Sequence, residues 1–299
     1  ANSIRNFFVG DIITEPGILL AGMALMLVGL AFKVSAAPFH QWAPDVYQGA
    51  PSGAVGLMAA GVKVAGFAAI GRIFVGGLIS QIDTWAPIFA VVAALSMIVG
   101  TVLALVQTDL KRLLAYSGVA HAGYILTGLV AGVEGIPPMW FYLATYSFMV
   151  VGSFAVVSVV SGPTSSSSPL ARYSGLAKRN PELGWLMAVL ILGMSGIPFF
   201  AGFVSKILTF SAAASVQNPW PAGAQGYIWL VVIGTITTVI GFAFYLRVIS
   251  TMFAGDADGE EVSASLSARF AIVISAAVTV IFGIVPWPLI DVVRDALPL

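Results

Sequence analysis

Three lysines, Lys33, Lys63 and Lys206, sit inside long apolar runs, in the contexts AFKVSAAPFHQW, AGVKVAGF and GFVSKILTF. An ionisable group at membrane depth is expensive, and chains keep one there mainly where ions or substrate pass. The chemistry open to such an amine is proton carriage, loading and releasing a proton as neighbouring charge changes. Two of the three lie beside helix breakers: Lys33 precedes Pro38, and Lys206 follows Gly196, Pro198 and Gly202. The plainer alternative is snorkelling, in which the four-carbon stem carries the charge to the interface. Depth opposes it. Lys63 lies about eleven residues into its run, roughly 16 Å at ~1.5 Å per residue. Lys33 is similarly deep from Pro16, and Lys206 follows the break in its run.

Two histidines complete the titratable set at depth. His121 lies in AYSGVAHAGYILTG, flanked by Tyr116, Ser117, Tyr124 and Thr127, which supply hydroxyls for a hydrogen-bonded chain. His40 follows Pro38. A single membrane histidine serves equally as a packed hydrogen-bonding residue or as a relay, and sharing a chain with deep lysines favours the relay. Arg247, in FAFYLRVI, is either a further relay element or a snorkelling cation. Every Asp and Glu falls in or beside a proposed loop, so the lysines find no carboxylate at their depth. A deep ammonium with no counter-ion is costly; the amines are neutral part of the time, or their partners come from another segment or subunit.

The elements that position these groups are set by composition. With 59% hydrophobic and 9% charged residues, the chain has too little polar surface for a soluble globule. It reads as an all-α polytopic membrane protein. Apolar runs fall at about 17–37, 52–79, 87–106, 113–130, 140–160, 183–213, 228–253 and 270–290, predicting eight transmembrane helices. The first and sixth are discontinuous, around Pro38 and Pro198. They cross in opposite directions, each with a lysine near its break, as in an inverted-topology repeat. Cysteine is absent, which excludes disulfides, thiolate metal sites and iron–sulfur ligation by this chain. Zero formal charge and dispersed basic residues leave no footprint for nucleic acid. No nucleophile–base–acid set or metal-ligand spacing is present.

Loop charge orients the spans. Lys111, Arg112, Arg172, Lys178, Arg179 and Arg269 share one face, which the positive-inside rule makes cytoplasmic; Arg5, Arg72 and Arg294 share the other. Trp85, Trp140, Trp220, Trp229 and Trp287 mark span ends. Residues 161–181, with the serine run 165–168, read as a flexible cytoplasmic loop, and Asp256, Asp258, Glu260 and Glu261 as a solvated acidic patch.

FKVSAAPFHQWAPDVYQGAPSG, the Lys63 helix, QTDLKRLLAYSGVAHAGYILTG and GIPFFAGFVSKI together resemble, in this order, the antiporter-like subunits of proton-pumping NADH:quinone oxidoreductase, respiratory complex I, and among them the subunit N family. The resemblance implies a fold of fourteen helices with two inverted five-helix bundles and a polar axis along mid-membrane. This chain supplies the last eight helices: 1–80 ends the first repeat, 81–255 forms the second, and 256–299 holds a C-terminal helix. On that mapping Lys33 matches the pump lysine of the first broken helix, Lys63 the connecting lysine, and Lys206 the lysine of the second break. His121 falls in a helix contributing to the same axis. The implied cofactors, FMN, iron–sulfur clusters and quinone, belong to other subunits, with none in this chain. The implied partners are other membrane-arm subunits, the lipid bilayer and protons, in a bacterial plasma membrane. The family's first six helices have no counterpart here, and position 1 is Ala rather than Met. The expectation is a partial chain of a larger subunit, in which Lys33 takes its acidic partner from elsewhere. A sodium/proton antiporter subunit, a secondary transporter of anionic substrates and a structural scaffold are the alternatives.

Overall fold

A computed structural model describes residues 16–217, 226–256 and 262–296. The expectations for Arg5, Trp220, Asp258, Glu260 and Glu261 lie outside these. The described residues are helical, in the order α1 (Pro16–Lys33), α2 (Trp42–Gly49), α3 (Ser52–Val75), α4 (Ile82–Leu105), α5 (Leu110–Leu129), α6 (Ile136–Ser161), α7 (Pro181–Ser195), α8 (Ala201–Ala214), α9 (Ile228–Ala254), α10 (Leu266–Ile284) and α11 (Trp287–Asp295).

By length and hydropathy, five described helices can each cross a membrane: Ser52–Val75, Ile79–Leu105, Gly132–Ser161, Ile228–Ala254 and Leu266–Ile284. The other three of the eight expected runs differ for separate reasons. The first stops as a helix at Lys33, four residues short of Ala37. The sixth divides into α7 and α8, of 15 and 14 residues. The fourth, α5, carries Lys111, Arg112, Ser117, His121 and Thr127 and has the lower hydropathy of a helix wrapped by protein; nearly all its side chains are buried. It packs on α2, α4, α6 and α8, and is the axis around which the bundle is built. The eighth run ends as a helix at Ile284, before Pro286, and α11 comes next with no buried residue.

Both breaks are present, and their freed backbone groups are satisfied by protein, as a membrane interior requires. In residues 34–41, Ser35 takes a positive φ of 59° and Ala37–Pro38 is cis. Ala37 N–H donates to Ser96 Oγ of α4 at 2.8 Å, while the Trp42 indole of the second limb donates to Phe32 O of the first at 3.0 Å. In residues 196–200, Gly196 reverses the chain with φ 85°, a left-handed position that favours glycine.

Several of the basic residues assigned to one face serve as structure. Lys111 is fully buried and donates to Ala50 O (2.6 Å) and Ser165 O (2.8 Å). Asp109 caps α5 through Arg112 N–H and accepts from Ser167 Oγ and Ser168 N–H. Ser168 Oγ in turn meets the buried Tyr173 hydroxyl at 2.6 Å. The expectation of a flexible loop at 161–181 is therefore corrected: the serine run is pinned by Asp109, Lys111 and Tyr173, contacts that composition does not reveal. Burial pushes the Tyr173 phenol up to about 12.

Candidate functional site

Lys63 stands at the end of a π-helical turn, Met58–Val62, inside α3. Such turns widen the helix and re-aim the side chains beyond them. The Lys63 side chain is 3% exposed, and Nζ donates to Gly118 O of α5 at 2.5 Å, 5.4 Å from the Tyr146 ring centroid. Gly118 leaves the room: a Cβ there would sit 3.0 Å from the Tyr146 hydroxyl and 3.6 Å from the amine.

One residue earlier on α5, Ser117 Oγ meets Tyr245 Oη of α9 at 2.5 Å. Tyr245 Oη also lies 3.2 Å from His121 Nε2, and Tyr142 Oη of α6 lies 2.9 Å from His121 Nδ1. Ser117, His121 and Tyr124 recur at i, i+4 and i+7 and so share one helix face. The imidazole has a hydroxyl at each nitrogen, and since a phenol both donates and accepts, either tautomer keeps both bonds. Tyr124 donates to Thr237 of α9 at 3.1 Å.

Lys206 is 6% exposed. Its Nζ lies 4.6 Å from the Tyr124 ring centroid and donates to Ser195 O at 3.0 Å. The lysine of the second limb thus caps the last turn of the first, where the helix dipole favours a cation. Its neighbour Ser205 bonds Thr145 of α6 at 2.9 Å. The Tyr146 ring joins Lys63 to His121, its centroid 5.4 Å from Lys63 Nζ and 4.8 Å from that of the imidazole.

Three of the four expected site residues are therefore brought together: Lys63 and Lys206 flank His121 in a buried belt of hydroxyls. Lys33 is not part of it. It is exposed at the end of α1, although its stem passes Gly66, one turn from Lys63. His40 is buried against Tyr116, ring centroids 6.2 Å apart. Arg247 stands apart from these residues: its guanidinium donates to Leu105 O (2.9 Å) and Gln107 O (2.6 Å), holding the C-terminus of α4. Sequence reasoning missed Tyr142, Tyr146 and Tyr245. Tyr142 and Tyr146, spaced i, i+4 inside an apolar helix, carry a readable signal; Tyr245 becomes legible only once α9 lies beside α5.

The hydroxyls of Ser117, Tyr245 and Tyr142 are linked through His121 at 2.5–3.2 Å, while the two amines end on the carbonyls of Gly118 and Ser195. Two ion pairs occur among the described residues, Arg112–Asp45 and Arg269–Glu182, and neither includes a lysine of the belt.

The model of the family described as NADH:quinone oxidoreductase/Mrp antiporter, TM, matches residues 3–241, a span that contains all three lysines and His121. NADH-quinone oxidoreductase subunit N of Mycobacterium tuberculosis (strain H37Rv) is 42% identical over 291 residues, covering 95% of this chain and 53% of the relative. The protein of that name from Salinispora arenicola is 43% identical, over 93% of this chain and 53% of the relative. The chain thus spans about half the length of the curated relatives it matches. Among solved structures, respiratory complex I from Thermus thermophilus aligns with TM-score 0.78 and 34% identity, covering 97% of this chain and 64% of the other. The Mrp complex of Dietzia sp. aligns with TM-score 0.79 at 20% identity, over 92% and 58%, a likeness of fold alone.

Proposed function

The chain belongs to the NADH:quinone oxidoreductase/Mrp antiporter transmembrane family, and from that premise we propose that it is part of a proton-translocating membrane-arm subunit of an NADH:quinone oxidoreductase, moving protons along its lysine–histidine belt. The carrying observation is that two buried lysines and a buried histidine gather in an otherwise apolar bundle: His121 bonds Tyr245 and Tyr142, Tyr245 bonds Ser117, and Lys63 and Lys206 lie against the rings of Tyr146 and Tyr124. Buried ionisable groups are costly and are retained where charge moves.

In this reading Lys63 and Lys206 hold protons alternately. A proton on one repels a proton on the other through a medium of low dielectric. His121 stands between them with a hydroxyl on each nitrogen, so it accepts at one nitrogen while releasing from the other. The drive comes from electron transfer in other subunits, which carry FMN, iron–sulfur clusters and quinone. It reaches this chain as charge or movement at Lys33, whose exposed ammonium takes a carboxylate from outside the described residues. The two broken helices belong to inverted repeats divided near residue 80, with the C-terminal helix from 256 onward, and the basic face is cytoplasmic. Other membrane-arm subunits and lipid cover the exposed apolar sides of α1, α9 and α10.

A second reading is a subunit of a multisubunit sodium/proton antiporter, favoured by the fold shared with the Mrp complex. Purified complex in sealed vesicles separates the two. The oxidoreductase reading expects NADH-driven proton translocation in sodium-free buffer; sodium-dependent proton exchange without NADH oxidation overturns it.

A further inference from the structure

The second break is gripped by α10, which packs on α6, α7 and α8. Two of its residues, Thr279 and Gly283, stand one turn apart and meet the two parts of the broken helix. Gly283 lies on the break itself: a Cβ there would fall on Phe199 O and 2.5 Å from Phe200 Cα. Carbon atoms rest about 3.5–4.0 Å apart, so an alanine would drive that backbone back by roughly 1 Å. Thr279 is fully buried, and its hydroxyl donates to Ser275 O of its own helix at 2.7 Å. Its methyl lies where a Cβ on Gly193, in the last turn of α7, would stand, and Gly202 in the first turn of α8 is pressed as closely on Gly193 O. Between these contacts Phe199 takes a φ of 76°, a costly conformation for a bulky residue. Phe199 is 75% exposed, so ring burial does not hold it there, whereas its carbonyl is seated on Gly283. Phe200 is the last residue before α8. Its position therefore sets where that helix begins and where Lys206, two turns on, meets Ser195 O.

We propose that Thr279 and Gly283 clamp the second break and so place the Lys206 amine at Ser195 O. They touch no proton themselves; they are positioning residues, acting through the backbone of residues 196–200. The clamp makes α10, which carries none of the titratable groups of the belt, the element that fixes the geometry of this lysine. Its functional side rests on the proton-translocation reading, and Lys206→Ala tests that reading separately.

The test uses the intact complex containing the full-length subunit. Gly283→Ala is expected to slow NADH-driven proton translocation by roughly 10- to 100-fold, the scale of a misplacement of about 1 Å. A high-resolution cryo-electron microscopy map of that variant is expected to show the Lys206 amine displaced from Ser195 O. Adding Phe199→Gly frees the linker to bend around the new methyl and is expected to return most of the lost rate. A glycine that only packed α10 onto the bundle would gain nothing from greater freedom at an exposed position. An unmoved amine, a loss that Phe199→Gly leaves untouched, or unaltered translocation where Lys206→Ala does impair it overturns the proposal. If Gly283→Ala fails to assemble, Thr279→Ser decides by the same map and rate, since it removes only the methyl against Gly193 and keeps the hydroxyl. A displaced amine in Gly283→Ala with normal translocation in Lys206→Ala upholds the clamp and removes the function it was meant to serve.

Discussion

Lys111 and Lys63 are both buried lysines whose amines bond backbone carbonyls, and what separates them is what lies next. Around Lys111 the partners are Ala50 O and Ser165 O, with Arg112 paired to Asp45 at the exposed surface. Around Lys63 they are Gly118 O and the Tyr146 ring, which itself packs on His121. Lys111→Met is expected to lower the thermal stability of the complex by about 2–3 kcal/mol, since two acceptors lose a charged donor, while its solvent isotope effect on turnover stays at the parent value. Tyr245→Phe is expected to do the opposite. It removes the hydroxyl shared by Ser117 and His121, so proton translocation is expected to fall by roughly a hundredfold, the low end of what a positioned proton-transfer group supplies, with assembly intact. The deep lysines were legible because depth alone distinguishes them. Lys111 was not, because a lysine at a helix start beside a loop reads as solvated until the serine run folds over it.

Tyr173 adds a pH dependence on the loop side. Its folded-state value is pushed above the ordinary ~10 of a phenol to about 12 by burial, so folding favours the neutral form. The folded loop therefore keeps its full stability below about pH 10 and loses it as pH rises toward about 12, where the folded phenol ionises. Alkaline titration followed by tyrosinate absorbance and by proteolysis of the 161–181 loop is expected to show late ionisation coincident with loop release. Tyr173→Phe removes that step.

At the scale of elements, the two breaks carry most of the design. Each was visible from a proline inside an apolar run, yet the prolines mark them imperfectly. The first break begins at Val34, immediately after Lys33, and the second at Gly196, before Pro198. Backbone geometry sets these points, through Ser35 and Gly196 in the left-handed region, and proline only forbids the helix from resuming at once. Gly196 also makes space for the lysine, since a Cβ there would lie 3.0 Å from Lys206 Cδ and Nζ. Gly196→Val is therefore expected to cost about 1–3 kcal/mol in backbone strain and to displace the amine from Ser195 O. Slowed translocation with a lowered melting temperature would check both effects together. The α5 helix differs: it reads as an apolar run at 113–130, yet it is not among the five helices apolar enough to cross a membrane, and nearly all its side chains are buried in the bundle.

For the whole molecule, the buried belt and the exposed Lys33 differ in what covers them. Lys63, His121 and Lys206 are enclosed by this chain's own helices. Lys33 is exposed at the end of α1, with its stem against Gly66 of α3. The sequence made this asymmetry visible as a shortage of carboxylates at depth. It did not show that Lys33 is separated from the belt, because a one-dimensional measure of depth says nothing about which side of a helix faces the bundle. The most direct measurement is NADH-driven proton translocation by the assembled complex carrying Lys206→Ala in the full-length subunit. Loss of most proton translocation, with the complex assembled and bound cofactors retained, is the expected result. Translocation per NADH oxidised that matches the parent complex would contradict it.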